Sequence, residues 1–403
     1  MGTNTQTNLI TRVVDERDLD RVRDIGDRSF GRIPDDRREQ WHAAAREQIA
    51  AGRLLGVYDG DTLVGSARLR PFQQFWGGRP LPMSGVASVG VAPEYRGRGA
   101  ATTLMRAVAV RGRDLGEPVS ALYPATFTLY RKLGWEIAGS RYRYRIDTSA
   151  LRGLGGRVQD VPVRPATPDD ADTVNALIHA AYANGVASGP RGYSEAETRD
   201  LLANPGLFCY LAERGFVAYG WEEGNEGGSL SVRHLAGTDE QTLRALWATV
   251  GSGSSTAKTV RAYLGPQDPL QLLLSEEIAH ETEQTRWMLR VLDLEAAIAR
   301  RGFPAGVRLE VPITIEDEVL QECAGSWLLR VADGRGAVSR RDGSALGSQS
   351  ADLQLGATGL AALYAGTPTA TLRAAGLATG GDPAYDAALD SAFAATPYLL
   401  EYF

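Results

Sequence analysis

The order of apolar and polar positions at the start of the chain predicts a strand, two helices and a pair of antiparallel strands. The two apolar runs of that pair flank an Asp-Gly-Asp turn, which is typical of a β-hairpin. The predicted elements are a strand at 11–14, a helix from Asp15 to residue 30, a helix at 34–50 and two strands at 52–60 and 61–69. The chain therefore opens as a mixed unit of helices and strands.

The same order of elements returns after a glycine-rich stretch at residues 152–157, which is predicted to be a linker. From residue 161 a strand is followed by a Thr-Pro-Asp-Asp helix start, an amphipathic helix, a second helix and two strands. The two copies are about 150 residues apart, a domain-scale spacing, so we interpret them as a duplicated domain. The alternative is two unrelated α/β domains that share a common opening.

The pattern changes again from about residue 294, where strand-like runs precede helical ones. A third unit of the α+β type is the simplest account of that change. The predicted domains are therefore residues 1–150, 151–293 and 294–403.

Composition narrows the choice of partners and compartment. The 403 residues include 43 basic and 49 acidic side chains, a net charge of −6. That balance favours neither nucleic acid nor a membrane as a partner, and it suits a cationic small molecule better. No apolar run approaches the roughly 18 residues of a membrane span, and the first residues lack the apolar core of a signal peptide. The cytoplasm is the expected location.

The cysteines and histidines do not predict a metal site. Cys209 and Cys323 are far apart without a CxxC motif, and the four histidines show no HExxH or HxxxH spacing. We therefore expect neither a zinc site nor a disulfide scaffold, and no metal among the cofactors.

The most informative stretch follows a predicted strand at residues 86–91. The chain passes through Ala92 and Pro93 and then through the hexad Arg-Gly-Arg-Gly-Ala-Ala at 96–101 into a helix, giving the pattern R-x-x-G-x-A. The two glycines let the backbone approach a ligand closely, and the helix N-terminus presents free N–H groups with the positive end of its dipole. These features predict a cradle for a pyrophosphate, although such a turn is weak evidence by itself.

A second motif strengthens that prediction. Residues 118–125 are predicted to form a neighbouring strand, and a short helix ending near Gly134 places Tyr130 just past the end of that strand. The phosphate loop and the sequence Tyr-Arg-Lys-Leu-Gly-Trp at 130–135 together resemble the GCN5-related N-acetyltransferase (GNAT) superfamily. The resemblance implies that acetyl-CoA lies in a V-shaped gap between two parallel strands, with its pantetheine paired to an exposed strand edge.

Nearly the whole chain is similar to the Eis (enhanced intracellular survival) family. The similarity rests on the tandem acetyltransferase-like halves, the segments at 265–274 and 285–303, the α+β tail and the final Leu-Leu-Glu-Tyr-Phe. It implies an α+β protein with tandem GNAT folds followed by a sterol-carrier-protein-like (SCP2-like) α+β domain. It also implies a homohexamer that transfers acetyl groups from acetyl-CoA to amines, including those of aminoglycosides.

The resemblance also implies roles for individual residues. Tyr130 matches the family's general acid, and Phe403 matches the residue whose free carboxylate is the general base. Phe30 and Trp41 lie where the family places aromatic contacts to the acceptor, although both fit an ordinary core equally well, and Glu401 adds a carboxylate for a cationic amine. The expected acetyl-CoA contacts are Val89, Gly90, Val91, Gly97, Arg98, Gly99, Ala100, Ala101, Thr102, Ala125 and Thr126.

The two catalytic candidates suit the reaction chemically. Attack of an amine on a thioester requires that a proton leaves the amine and that a proton reaches the departing thiolate. A phenol with an ordinary pKa of about 10 stays protonated at neutral pH and can donate that proton. An α-carboxylate has an ordinary pKa of roughly 3.3 to 3.7, so Phe403 must be buried in the cleft to become a useful base. The alternatives are a core tyrosine that caps a helix and a frayed chain end.

The second copy is predicted not to bind CoA. At residues 233–240 it has acidic residues where the first copy has its glycine-rich basic hexad, and acidic side chains repel phosphates. Its expected role is to build a shared core and one wall of the acceptor pocket.

The leading hypothesis is an acetyl-CoA-dependent N-acetyltransferase that acts by direct attack of an amine on the thioester. The amine would belong to a cationic small molecule, such as an aminoglycoside or polyamine, or to a lysine side chain. One alternative is a longer-chain acyl or aminoacyl transferase, because tandem folds of this superfamily also occur in N-myristoyltransferases and mycothiol synthases. The other is a non-catalytic module that binds CoA or lipid.

Overall fold

The computed structural model describes residues 9–157, 161–222, 228–276, 279–341 and 352–403. The first region has the predicted strand, two helices and hairpin, and the second hairpin strand is longer than predicted. The elements of this region are β1 (Leu9–Val13), α1 (Leu19–Phe30), α2 (Arg38–Ala50), β2 (Leu54–Asp59), β3 (Thr62–Trp76), β4 (Arg79–Val91), α3 (Ala100–Asp114), β5 (Val119–Leu122), α4 (Phe127–Arg131), β6 (Glu136–Asp147) and α5 (Thr148–Gly153).

The second region repeats the predicted order with shorter strands at its start. Its elements are β7 (Arg164–Pro165), α6 (Ala171–Asn184), β8 (Arg191–Gly192), α7 (Glu195–Ala203), β9 (Phe208–Ala212), β10 (Gly215–Trp221), β11 (Ser229–Gly237), α8 (Glu240–Gly251), β12 (Thr259–Leu264), α9 (Leu270–Leu273) and β13 (Ala279–Val291).

The third region contains a separate sheet with helices packed against it. Its elements are α10 (Leu294–Arg300), β14 (Leu309–Glu316), β15 (Gly325–Ala332), β16 (Arg335–Arg340), β17 (Leu353–Gly356), α11 (Ala357–Tyr364), α12 (Thr369–Ala374), β18 (Ala378–Gly380) and α13 (Asp386–Phe393). The strand order in the described residues is β16, β15, β14, β17, β18.

Short polar side chains determine where several helices begin. Asp15, the predicted helix start, accepts a hydrogen bond from the Arg17 N–H and so caps a 3-10 turn, and α1 itself begins four residues later. At α7, Ser194 and Glu197 each accept the other's backbone N–H, which is the reciprocal capping box. These caps satisfy N–H groups that the first turn of a helix leaves without partners.

One sheet continues through the first two regions. Within the described residues its order is β1, β2, β3, β4, β5, β13, β6, β12, β11, β10, β9, β7, and β8 pairs with β3 beside that path. Strand β13 comes from the second region in sequence, yet it lies between β5 and β6 of the first region and pairs with both. The two halves therefore share their hydrogen-bonded framework.

The glycine-rich stretch predicted as a linker is part of this packed body. Helix α5 runs through Gly153, a 3-10 turn follows at Leu154–Arg157, and Leu154 is buried in the same core cluster as Trp247 of α8. The α8 residue Gly251 has no room for a Cβ against the Arg152 backbone. Gly251 of α8 thus allows this stretch to pack closely on α8.

Strands β4 and β5 separate partway along their length. They pair in parallel only where Met83–Val86 meets Val119–Leu122. Strand β4 continues beyond this point to Val91, while the chain after β5 turns into α4. The edge of β4 that faced β5 is therefore free beyond residue 86, and a V-shaped gap opens there.

A bulge in β4 lies beside that gap. Gly90 pairs with Ser66 of β3 and Ala87 pairs with Arg68, so two residues of β4 oppose one of β3. Within the bulge, Ser88 has φ 53°, a left-handed conformation that few non-glycine residues adopt. A bulge of this kind bends the strand and redirects its groups.

The last residues of the chain run between the two halves of the sheet. Tyr398 forms a bridge with Ser140 of β6 and donates its N–H to the Ser188 carbonyl in the second region. Leu399 is fully buried. The third region therefore returns its final segment to the shared sheet, beside β6.

Candidate active site

A cleft of about 570 Å³ follows the gap between β4 and β5. Ten of the eleven residues expected to contact acetyl-CoA line it, and they come from the β4 edge, the loop before α3, the first turn of α3 and the turn between β5 and α4. These ten are Val89, Gly90, Val91, Gly97, Gly99, Ala100, Ala101, Thr102, Ala125 and Thr126. Arg96, the residue before Gly97, also lines the cleft.

The remaining expected contact, Arg98, is exposed and does not line the cleft. Its guanidinium lies 5.4 Å from the centre of the Tyr95 ring. Sequence reasoning missed Arg96, Tyr95 and Leu129, which do line the cleft. The signal for Arg96 was present, because it is the first residue of the glycine-rich hexad.

The N-terminus of α3 is open to an anion. The residue before its first turn is Gly99, which has no side chain to accept the free N–H groups, and its φ of 86° requires the left-handed region that glycine favours. A Cβ at Gly97 or Gly99 would meet no atom within 4 Å, so the loop faces open space. Uncapped N–H groups and the helix dipole make this a suitable position for phosphate groups.

The second half keeps this geometry but closes the site. Strand β11 leads into α8 as β4 leads into α3, yet the residue before α8 is Asp239, whose carboxylate accepts the Thr242 N–H at 2.9 Å. A side-chain carboxylate thus occupies the place that a phosphate would take. This observation supports the prediction that the second half does not bind CoA.

Tyr130 projects from α4 into the cleft and is only 6% exposed. Burial, and to a smaller extent the Tyr402 hydroxyl, raise the pKa of Tyr130 to about 12. The phenol is therefore protonated at neutral pH and can donate a proton to a group that develops negative charge.

The C-terminal residues complete an aromatic cluster beside the cleft. The Tyr402 ring stacks on Tyr123, which follows β5, with ring centres 4.3 Å apart. The Phe403 ring packs between Phe72 of β3, at 5.1 Å, and Tyr123, at 5.5 Å. The Tyr123 hydroxyl donates to the Glu401 carbonyl at 2.7 Å. The final residue is thus partly buried and held near the gap, although it lines neither this cleft nor the smaller cavity beside it.

A second, smaller cavity of about 140 Å³ adjoins the first. It contains both expected acceptor aromatics, Phe30 at the end of α1 and Trp41 on α2. Phe30 and Gly90 line both cavities, so the two spaces meet at the β4 bulge. Phe30 is 59% exposed, which is unusual for a core residue and leaves its ring available to a ligand.

Glu401 lies outside both cavities. One of its carboxylate oxygens accepts the Tyr193 hydroxyl, and the other lies 3.8 Å from the Arg191 Nε. Burial raises the pKa of Glu401 despite the nearby arginine. The structure therefore gives this carboxylate partners within the chain, on the second-region side of the tail, instead of directing it at the acceptor.

Two further observations concern the described part of the chain. No group of three or more His, Cys, Asp and Glu side chains there could hold a metal ion. None of the helices there is both long enough and apolar enough to span a membrane.

Three proteins illustrate what the chain resembles. A crystal structure of a GCN5-related N-acetyltransferase from Kribbella flavida is 48% identical, covers 100% of both chains and superimposes with a TM-score of 0.93. An uncharacterized N-acetyltransferase of Streptomyces coelicolor is 30% identical over 84% of this chain and 85% of its own. The N-acetyltransferase Eis of Mycobacterium tuberculosis is 26% identical over 78% of each chain.

Sequence models of known families match all three regions. An acetyltransferase (GNAT) domain matches residues 11–138, another matches 189–291, and a sterol carrier protein domain matches 294–400. The fold is that of a GCN5-related N-acetyltransferase, and the chain is an acetyltransferase of that class. Within that class the chain belongs to the Eis family, as the tandem GNAT domains, the terminal sterol carrier protein domain and the relatives together show.

Proposed function

We propose that this chain transfers the acetyl group of acetyl-CoA directly to an amine of a small molecule, with Tyr130 as general acid and the Phe403 carboxylate as general base. The observation that carries the proposal is one cleft that brings together the free edge of β4, the uncapped N-terminus of α3 and the buried Tyr130 phenol. N-Acetyltransferases of the GNAT type use acetyl-CoA as cosubstrate.

The chain's own groups account for cofactor binding. The N–H groups at residues 97–102 bind the pyrophosphate, because Gly99 supplies no side-chain cap to the first turn of α3. The free edge of β4 at Val89–Val91 pairs with the amide groups of the pantetheine as an added strand would. Ala125 and Thr126 form the opposite flank of the gap.

Two groups of the chain move the protons. Tyr130 donates its phenolic proton as the thiolate leaves, and its pKa of about 12 keeps it protonated until then. The Phe403 carboxylate accepts the proton that the attacking amine loses. Packing of the Phe403 ring against Phe72 and Tyr123 supports this role, because it holds the last residue beside the gap.

Phe30 and Trp41 form the acceptor pocket in this proposal, since their cavity meets the cofactor cleft at the bulge of β4. The family resemblance points to aminoglycosides, polyamines and lysine side chains as acceptors. We also propose, from the family resemblance, that the chain forms a homohexamer. Sedimentation at assay concentration tests this.

The proposed reaction is tested by measuring CoA release from acetyl-CoA with a panel of amines. The panel contains an aminoglycoside, spermidine, a lysine peptide and arylalkylamines, and mass spectrometry identifies the acetylated product. We expect turnover with acetyl-CoA and at least one of these amines. Binding of acetyl-CoA without acetylation of any amine would contradict catalysis and favour a binding module.

A further inference from the structure

The charge of the acceptor pocket differs from that of the whole chain. Among the residues that the structure describes, its charged lining residues are Arg23 and Arg68, and no acidic side chain lines it. The other lining residues are apolar, aromatic, glycine or serine. The pocket is therefore locally basic in a protein whose net charge is −6.

Of the two arginines, only Arg23 forms an ion pair within the described part of the chain. Arg23 donates to Asp35 at 3.1 Å, and its Nε lies 3.8 Å from Asp27. Arg68 has no hydrogen bond or ion pair with any residue that the structure describes, and its guanidinium lies 4.8 Å from the centre of the Trp41 ring. Its positive charge is thus available to a ligand in the pocket.

Arg68 is held where the acceptor must approach. It lies on β3 opposite Ala87, directly beside the bulge at which the acceptor pocket and the cofactor cleft meet. Arg70, two residues along on the same face of β3, lies opposite Gly85, where a Cβ would come within 3.1 Å of the Phe403 ring. Arg68 thus shares one face of β3 with Phe72, whose ring packs against Phe403, the proposed general base.

The surroundings leave this cation poorly stabilised. Arg68 is half-buried, and burial followed by the charge of Arg70 lowers its pKa. A third arginine, Arg191, lies 4.5 Å from the Phe72 ring, but Glu197 and Glu401 neutralise it. A partly desolvated cation without a counter-ion is costly, and an arriving anion would remove that cost.

We propose that the acceptor is an amine that also carries an oxyanion, and that Arg68 binds this oxyanion while the amine reaches the acetyl group at the β4 bulge. The inference rests on the proposed function and names its acceptor class. The planar guanidinium donates two parallel hydrogen bonds to a carboxylate or a phosphate, and Trp41 supports its other face. Phe30 and Trp41 favour a flat or apolar body between the two charged groups.

The test compares acceptors of one shape that differ in charge. The probes are 4-(aminomethyl)benzoate, its neutral carboxamide, the corresponding phosphonate and spermidine, each assayed for CoA release. We expect kcat/KM for the carboxylate or the phosphonate to exceed that of the carboxamide about tenfold or more, the usual effect of a charge-assisted hydrogen bond. The preference between the two anions distinguishes carboxylate from phosphate acceptors.

Two substitutions assign the preference to Arg68. Arg68→Met keeps the packing on Trp41 without the charge. Its kcat/KM should therefore fall about tenfold or more for the anionic probes and change little for the carboxamide. Arg68→Lys keeps the charge but not the paired donors, so its kcat/KM for the anionic probes should lie between those of the unsubstituted chain and Arg68→Met. Arg37→Met, an exposed arginine at the start of α2 that lines neither cavity, is the matched control and should resemble the unsubstituted chain.

Three outcomes would overturn the inference. They are a preference for spermidine or the carboxamide in the unsubstituted chain, an Arg68→Met variant that loses the same factor on every amine, and an Arg37→Met control that loses as much as Arg68→Met. An equal loss on every amine would mean that Arg68 acts on the general base or the fold. Failure of the proposed function looks different, because no amine would then release CoA.

Discussion

At the scale of single residues, the sequence predicts the cofactor side of the site better than the acceptor side. Gly97, Gly99 and Tyr130 lie in two short motifs, and a strand followed by a helix places each motif at the same end of the sheet. The acceptor pocket is different. Arg68 of β3 contacts Trp41 of α2, and these residues are far apart in the sequence. No local pattern around Arg68 indicates that it forms no ion pair with the described residues.

Charge pairing over long distances also limits what the sequence can predict. Glu401 was expected to face a cationic amine, but it meets Arg191 and Tyr193, which are more than 200 positions away in the chain. The contact depends on how the final segment crosses the sheet. Periodicity and motif spacing carry no information about that crossing.

Substitution of Tyr130 tests the proposed acid. Tyr130→Phe removes the hydroxyl from a residue that is 6% exposed and keeps the ring that packs against Trp135. We expect kcat to fall by about 10²- to 10⁴-fold, the usual contribution of a general acid, because the thiolate then leaves without a proton donor. Acetyl-CoA affinity, measured by calorimetry, should change little. A variant with the kcat of the unsubstituted chain would show that Tyr130 is a packing residue.

At the scale of elements, the helices α3 and α8 show how one local design can bind an anion or exclude it. Both follow a strand that ends in a short turn. Gly99 leaves the N-terminus of α3 open, whereas Asp239 closes that of α8 with its own carboxylate. The sequence predicts this contrast, because the capping residue is adjacent to its helix.

Giving α3 the closure of α8 should weaken cofactor binding. In Gly99→Asp the new carboxylate would cap the free N–H groups and repel the pyrophosphate, so we expect the Kd of acetyl-CoA to rise about tenfold or more. Gly99→Asn is the control, because it has nearly the same size and tolerates the φ of 86° similarly but carries no charge. Calorimetry with acetyl-CoA measures both. Equal affinities of the two variants would contradict an electrostatic role for this helix end.

Other elements differ from prediction for physical reasons. The glycines at 152–157 were interpreted as a linker, yet this stretch packs closely against α8. The close approach is made by Gly251 of α8, about 100 residues away, so the composition of this stretch alone does not reveal the packing. Strand β16 is a largely polar, mostly exposed edge strand, so its sequence lacks the apolar alternation that predicts a half-buried strand.

At the scale of the whole molecule, the halves are interleaved rather than joined end to end. The repeat in the sequence predicts the duplication, but the insertion of β13 between β5 and β6 follows from strand pairing over more than 130 residues. The core cluster of the first region also continues into the third, where Trp327 and Leu360 belong to it. That shared core holds the third region in place, so its last segment reaches the gap between β4 and β5.

The most direct test of the account is the kcat of a chain that ends at Tyr402. Removing Phe403 moves the terminal carboxylate by one residue, and Phe403→Leu is the control, because it keeps the carboxylate and alters only the packing against Phe72 and Tyr123. The account predicts that the shortened chain binds acetyl-CoA normally and loses about 10²-fold or more in kcat, whereas Phe403→Leu keeps most of it. A shortened chain that turns over as fast as the full chain would contradict it.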